Sequence, residues 1–137
     1  MNSYINIFST IIVASVFTLA GGGAAYGGSR NITPAEARKM IASNDGDLLI
    51  LDVRTEREYR GPDGHIRGAR LIPIRSLPAR IGEIDEYRDG KIIVYCAVGG
   101  RSAMVADFLA EKGFRKIYNM VGGIKEWNRL GYVAERE

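Results

Sequence analysis

The sequence predicts an α/β fold in which a central, mainly parallel sheet carries helices on both faces. Unbroken apolar runs recur at Leu48-Leu49-Ile50-Leu51, at Ile92-Ile93-Val94-Tyr95 and, more weakly, at Ile117-Tyr118. Such runs suit strands covered on both sides, as in parallel sheets. Each is followed by a stretch with helical spacing, at 55–60, 102–112 and 124–130. Strands alternating with helices at these lengths build right-handed βαβ units. The chain has 137 residues, 46% of them hydrophobic, enough for the core of one domain. That excludes an intrinsically disordered chain and a multidomain one.

The elements follow in order. Thr33-Pro34-Ala35-Glu36 combines an N-cap, a proline at the first helical position and a capping-box acid, ahead of Ala37, Met40 and Ile41 at helical spacing. A helix is expected over about 34–43. Asn44-Asp45-Gly46-Asp47 breaks the chain before the first long strand. No internal repeat or low-complexity segment follows residue 29.

The start of the chain reads differently. Residues 1–29 hold no Asp, Glu, Lys, Arg or His, and the run from Ile11 to Ala20 is apolar enough to enter a membrane. Gly21-Gly22-Gly23-Ala24-Ala25 then offers small residues that a signal peptidase accepts. The expectation is a signal peptide or membrane anchor over 1–25, a linker over 26–31 and one domain over 32–137. Signal and anchor both stay open, because the first residues lack Lys or Arg and polar residues dilute the apolar stretch. The expected location is periplasmic or otherwise exported, or anchored with the domain outside the cytoplasm.

Lys and Arg number 19 against 16 Asp and Glu, a net charge of +3 that no basic run concentrates. The balance favours small anions and argues against a nucleic-acid partner. One cysteine cannot form an intrachain disulfide, and one cysteine with one histidine cannot make a zinc site. No metal or cofactor is expected.

In such folds the chemistry sits at the carboxyl ends of the strands. There the sequence Tyr95-Cys96-Ala97-Val98-Gly99-Gly100-Arg101-Ser102 places the sole thiol at a strand end, then two glycines, then Arg101 and Ser102 at the start of a helix. Glycines let successive N–H groups converge, the helix adds its positive end, and Arg101 adds a cation. The same field favours a thiolate, which makes Cys96 the candidate nucleophile and Ala97, Val98, Gly99, Gly100, Arg101 and Ser102 its binding loop. Asp52 and Arg54, at the end of the first long strand, are candidate supporting residues. They either pair locally and cap the next helix or line the pocket and fix the loop.

The stretch Cys96-x-x-Gly99-x-Arg101-Ser102 resembles the active-site loop of single-domain rhodaneses. Three further stretches are similar to the same family in the same order: Leu51-Asp52-Val53-Arg54, Gly64-His65-Ile66-Arg67-Gly68-Ala69 with Ile72-Pro73, and Gly122-Gly123 followed by Trp127. Together they cover about residues 32–133. The resemblance implies a rhodanese-like three-layer fold and a thiosulfate sulfurtransferase that carries sulfur as a Cys96 persulfide. Its partners would be a small anionic sulfur donor and a thiol or cyanide acceptor. It also leaves a sulfur-carrier module serving a protein partner as an alternative, with a phosphatase or arsenate reductase behind it. Those enzymes carry one more residue between cysteine and arginine, since a tetrahedral oxyanion needs a wider ring of amides than one sulfur atom does. Two-domain thiosulfate rhodaneses place basic residues where this chain has Val98 and Glu58, so thiosulfate is expected to be no more than a workable test donor.

Other residues read as structural. His65, between Gly64 and Gly68, is expected to hydrogen-bond backbone in a turn, and Trp127 shares helical spacing with Ile124 and Leu130 as a core residue. Arg54, Arg57, Arg60, Arg67 and Arg70 interleave with Glu56, Glu58 and Asp63, the pattern of a solvated mixed-charge surface. A monomer is expected, touching a membrane only if the first segment is retained.

Overall fold

The computed structural model describes residues 28–43 and 46–137, so the signal or anchor expected over 1–25 lies outside the described residues. Five parallel strands, β1 (Ser29–Ile32), β2 (Leu48–Asp52), β3 (Arg70–Leu71), β4 (Lys91–Tyr95) and β5 (Lys116–Met120), form one sheet in the order β1-β5-β4-β2-β3. The helices are α1 (Pro34–Ala42), α2 (Glu56–Tyr59), α3 (Leu77–Arg80), α4 (Gly100–Glu111) and α5 (Gly123–Arg129). A 3-10 helix, Ile81–Tyr87, continues α3. Among the described residues, no helix is long and apolar enough to cross a membrane.

The apolar runs are strands buried on both faces, and their residues alternate between two cores. Leu49, Leu51, Ile92, Val94 and Cys96 pack with Leu77, Ile84, Val105 and Leu109. Ile50, Ile93 and Tyr95 pack with Ala37, Ile124 and Trp127. The result is the expected three-layer architecture, with α3 and α4 on one face and α1 and α5 on the other.

The cap expected at Thr33 is present. Thr33 Oγ1 accepts from the Glu36 N–H at 3.2 Å, and the Glu36 carboxylate accepts from the Thr33 N–H at 2.7 Å. Three residues expected in a linker, Ser29 to Asn31, are instead strand. They carry no apolar run, and their extended form comes from pairing with β5 in the register Ser29↔Ile117 to Ile32↔Met120. Strand β3, helix α3 and the 3-10 helix were not expected from the sequence. β3 is only two residues long, and Pro78 sits within the first turn of α3, so neither leaves a clear periodic signal. Helix α4 starts two residues earlier than expected, because Gly99 caps it in the left-handed conformation with φ 111°.

Candidate active site

Cys96 follows β4 directly, and its side chain is buried at the bottom of the loop that leads into α4. The turn at Gly99 brings the Gly99 N–H to 3.1 Å and the Ser102 N–H to 3.5 Å from Cys96 Sγ. These amides lie in and just before the first turn of α4, where backbone N–H groups have no partner within the helix. Ser102 Oγ lies 3.4 Å from the sulfur and 3.1 Å from the Gly99 carbonyl oxygen. Burial pushes the Cys96 thiol up. Hydrogen bonds from the Ser102 side chain and from the Ser102, Gly99 and Val98 N–H groups outweigh that and hold it below its ordinary value.

The carbonyls of the same loop are drawn the other way. The Ile124 N–H donates to the Cys96 carbonyl at 2.9 Å, and the Lys125 N–H donates to the Ala97 carbonyl at 3.1 Å. Helix α5 therefore uses its own unpaired first-turn donors to turn the loop carbonyls from the sulfur, which leaves the N–H groups facing it. The contact requires Gly123, where a Cβ would run into the carbonyls of Cys96 and Ala97, and where φ is +60°. In the sequence, Gly122-Gly123 stands out only within the stretch that resembles the family. The paired glycines between a strand and a helix were the available signal.

Arg101 does not reach the sulfur with a hydrogen bond. Its Nη1 and Nη2 donate to both carboxylate oxygens of Glu58 at 2.8 and 2.7 Å, a bidentate pair. That bond, with support from Thr55, holds the Glu58 carboxyl down to about 2, against the partial burial that raises it, and raises Arg101 in turn. Glu58 also closes the capping box of α2, accepting from the Thr55 N–H at 3.0 Å. The pair thus ties α2 to the loop, a role for Glu58 that its sequence position did not reveal. Val98 is 67% exposed at the rim. Gly100 is exposed, and Ala97 is half-buried.

Asp52 and Arg54 pair with each other, both completely or almost completely buried. Arg54 Nε lies 3.0 Å from Asp52 Oδ1, and Nη2 lies 2.7 Å from Oδ2. Arg54 Nη2 also donates to the Gly64 carbonyl at 2.7 Å, and Nη1 to the Glu58 carbonyl at 3.3 Å. Arg54 is therefore interior and not on the solvated mixed-charge surface expected for it, and its donors are filled as a buried guanidinium requires. The pair underpins α2 and the turn at Gly64 from beneath.

His65 behaves as expected. Its Nδ1 lies 3.2 Å from the Tyr59 carbonyl, its ring stacks on Tyr59 at 3.7 Å, and its backbone bridges to Glu135. Trp127 is buried, with its Nε1 donating to the Val133 carbonyl at 3.1 Å. Arg60 and Arg67 form exposed pairs with glutamates, and Arg70 reaches the Glu83 carbonyl.

A cysteine in a ring of amides, on a three-layer parallel fold, defines a class of protein, and comparison with known proteins agrees. Residues 33–130 match the rhodanese-like domain, and the chain belongs to that family. It is 32% identical over 101 residues to a sulfurtransferase of Allochromatium vinosum, covering 74% of this chain and 91% of that one. It is 37% identical over 92 residues to the putative sulfur carrier protein YrkF of Bacillus subtilis, covering 67% of this chain and about half (48%) of that protein. Among solved structures, a rhodanese-related protein of Thermoplasma volcanium superposes with a TM-score of 0.69 at 33% identity, covering 79% of this chain and 99% of that one.

Proposed function

We propose that the protein is a sulfurtransferase that moves sulfane sulfur through a Cys96 persulfide. The observation that carries this reading is that the loop amides converge on the sulfur itself, from 3.1 Å at Gly99 to 3.5 Å at Ser102. Amides engaged with the sulfur favour its thiolate, and the four residues between Cys96 and Arg101 suit one transferred sulfur better than a tetrahedral oxyanion. The lowered thiol supplies the nucleophile.

With thiosulfate, the Cys96 thiolate attacks the outer sulfur. The S–S bond breaks, sulfite leaves with the electron pair, and the new Sγ–S bond leaves an anionic persulfide facing the amides. Cyanide then attacks the terminal sulfur, releases thiocyanate and restores the thiolate. The kinetics are ping-pong. Intact mass spectrometry checks the intermediate: thiosulfate adds about 32 Da and cyanide removes it. An unchanged mass after thiosulfate, with the thiol still reactive toward iodoacetamide, defeats thiosulfate as donor.

The likeness to a putative sulfur carrier protein supports a second reading, in which the persulfide passes to a partner protein. Val98 and Met104, each 67% exposed beside the loop, would meet that partner. Slow turnover with every small acceptor, together with stable loading of Cys96, distinguishes the carrier from the enzyme. For location, we propose that the first 25 residues place the domain outside the cytoplasm, either as a cleaved signal or as an anchor. Sequencing the N-terminus of the native protein separates the two, with a mature start near Tyr26 expected for the signal.

A further inference from the structure

A groove of about 440 Å³ opens beside the loop, lined by Val53, Thr55, Pro73, Ile74, Arg75 and Arg101. Its walls are mostly apolar, and backbone pairing fixes them. The Val53 N–H donates to the Tyr95 carbonyl at 3.2 Å, one residue before the cysteine, and the Ile74 N–H donates to the Val53 carbonyl at 3.0 Å. The segment carrying Arg75 is thus pinned at the sheet edge, with the Val53 segment between it and the strand that ends at Cys96. Two cations face this groove. Arg101 has its fork filled by Glu58. Arg75 is exposed and has no carboxylate or hydrogen-bond partner among the described residues.

Thiosulfate would leave such a groove largely unused, since it brings charge and no carbon surface to lay on Val53, Pro73 and Ile74. A monoanion with an apolar body satisfies both the walls and the open cation. Resting on the sulfur-transfer reading of Cys96, we propose that Arg75 is a specificity-determining residue and selects an organic persulfide that bears a carboxylate. The carbon chain lies on Val53, Pro73 and Ile74, and the carboxylate pairs with Arg75.

The transfer balances without an external oxidant or reductant. The Cys96 thiolate attacks the outer sulfur of R–S–SH, and the S–S bond of the donor breaks. The thiolate R–S⁻ departs with the electron pair, and the proton stays on the transferred sulfur as Cys96–S–SH. Arg75 contacts only the R group, so it acts on donor choice and not on the sulfur.

The test uses two probes matched in sulfur chemistry, the persulfides of 3-mercaptopropionate and of 2-mercaptoethanol, with loading of Cys96 followed by intact mass against time. The full-length protein is expected to prefer the carboxylate probe about fivefold or more in second-order loading rate, the scale of a partly exposed charged contact. Arg75→Gln brings that ratio near one, Arg75→Glu inverts it, and Arg75→Lys restores part of it. A ratio that stays within twofold of the unsubstituted protein in Arg75→Gln and Arg75→Glu overturns this inference alone. Failure of both probes to load Cys96 overturns it together with the sulfur-transfer reading.

Discussion

The sulfur of Cys96 meets opposing forces, and the hydrogen bonds win. Burial disfavours the thiolate, yet the Ser102 hydroxyl and three backbone amides lower the thiol. Ser102 has one hydroxyl proton to give. Toward a neutral thiol it can bond the Gly99 carbonyl at 3.1 Å, and toward a thiolate or persulfide it turns to the sulfur at 3.4 Å. Ser102→Ala removes that donor, so the thiol rises and less thiolate exists at neutral pH. Iodoacetamide alkylation at pH 7 should slow by about three- to tenfold, with its pH midpoint moved upward. An unmoved midpoint would show that the amides alone set the thiolate. Cys96→Ser should abolish the added sulfur while leaving the fold intact, since the hydroxyl is close in size to the thiol. Cys96 and its loop were legible because nucleophile, glycines and helix start are contiguous in sequence. The partners of the loop were not. Glu58 lies 43 residues from Arg101, and Arg75 belongs to a segment with no motif of its own. Asp52 and Arg54 are legible as a pair of candidates, and only the contacts to the Gly64 and Glu58 carbonyls show that they work beneath α2 and the turn at Gly64.

Among the elements, α2, α4 and α5 hold the site by two contacts of different kinds. The first is ionic. The folded Glu58 carboxyl titrates at about 2, below its ordinary 4.5, so its contribution to stability is fully present above about 4.5 and is lost as pH falls through about 2. Glu58→Gln should therefore lower the melting temperature at pH 6, and the gap to the unsubstituted protein should close between pH 4.5 and 2. A gap that stays constant across that window would mean that the pair contributes shape and not charge. The second contact is steric, at Gly123. Gly123→Ala should push α5 from the loop and loosen the two carbonyl hydrogen bonds. We expect persulfide loading to slow by at least tenfold while far-ultraviolet circular dichroism stays unchanged, the scale of one lost oxyanion-type donor. The long elements were legible from apolar runs and from the Thr33 cap. The left-handed glycine at position 99 moved the start of α4 in a way that the Arg101-Ser102 pattern does not reveal.

At the scale of the whole molecule, the fold extends past both ends of the family match at 33–130. At one end, Glu135 bridges to the backbone of His65 and pairs with Arg67. At the other, β1 covers the edge of β5, buries Ile32 and joins Asn31 to Asn119 through a side-chain hydrogen bond at 3.1 Å. Since every site residue lies between Asp52 and Lys125, the first 27 residues should be dispensable for chemistry. A chain starting at Gly28 should match the full-length protein in melting temperature and loading rate. A chain starting at Thr33 keeps the family match but loses β1, which leaves a β5 edge open and removes the buried side chain of Ile32. That burial alone is worth about 1.5–3 kcal/mol, so the shorter chain should melt at least about 5 °C lower and self-associate through the open edge. Its loading rate at 10 °C, where it stays folded, should equal that of the longer chain, because β1 touches none of the groups around Cys96. Equal melting temperatures for the two chains would show that β1 is a passive edge, and a lower loading rate at 10 °C would show that it reaches the site, through β5 or through α4, where Ser29 Oγ donates to Asp107 Oδ1 at 3.0 Å.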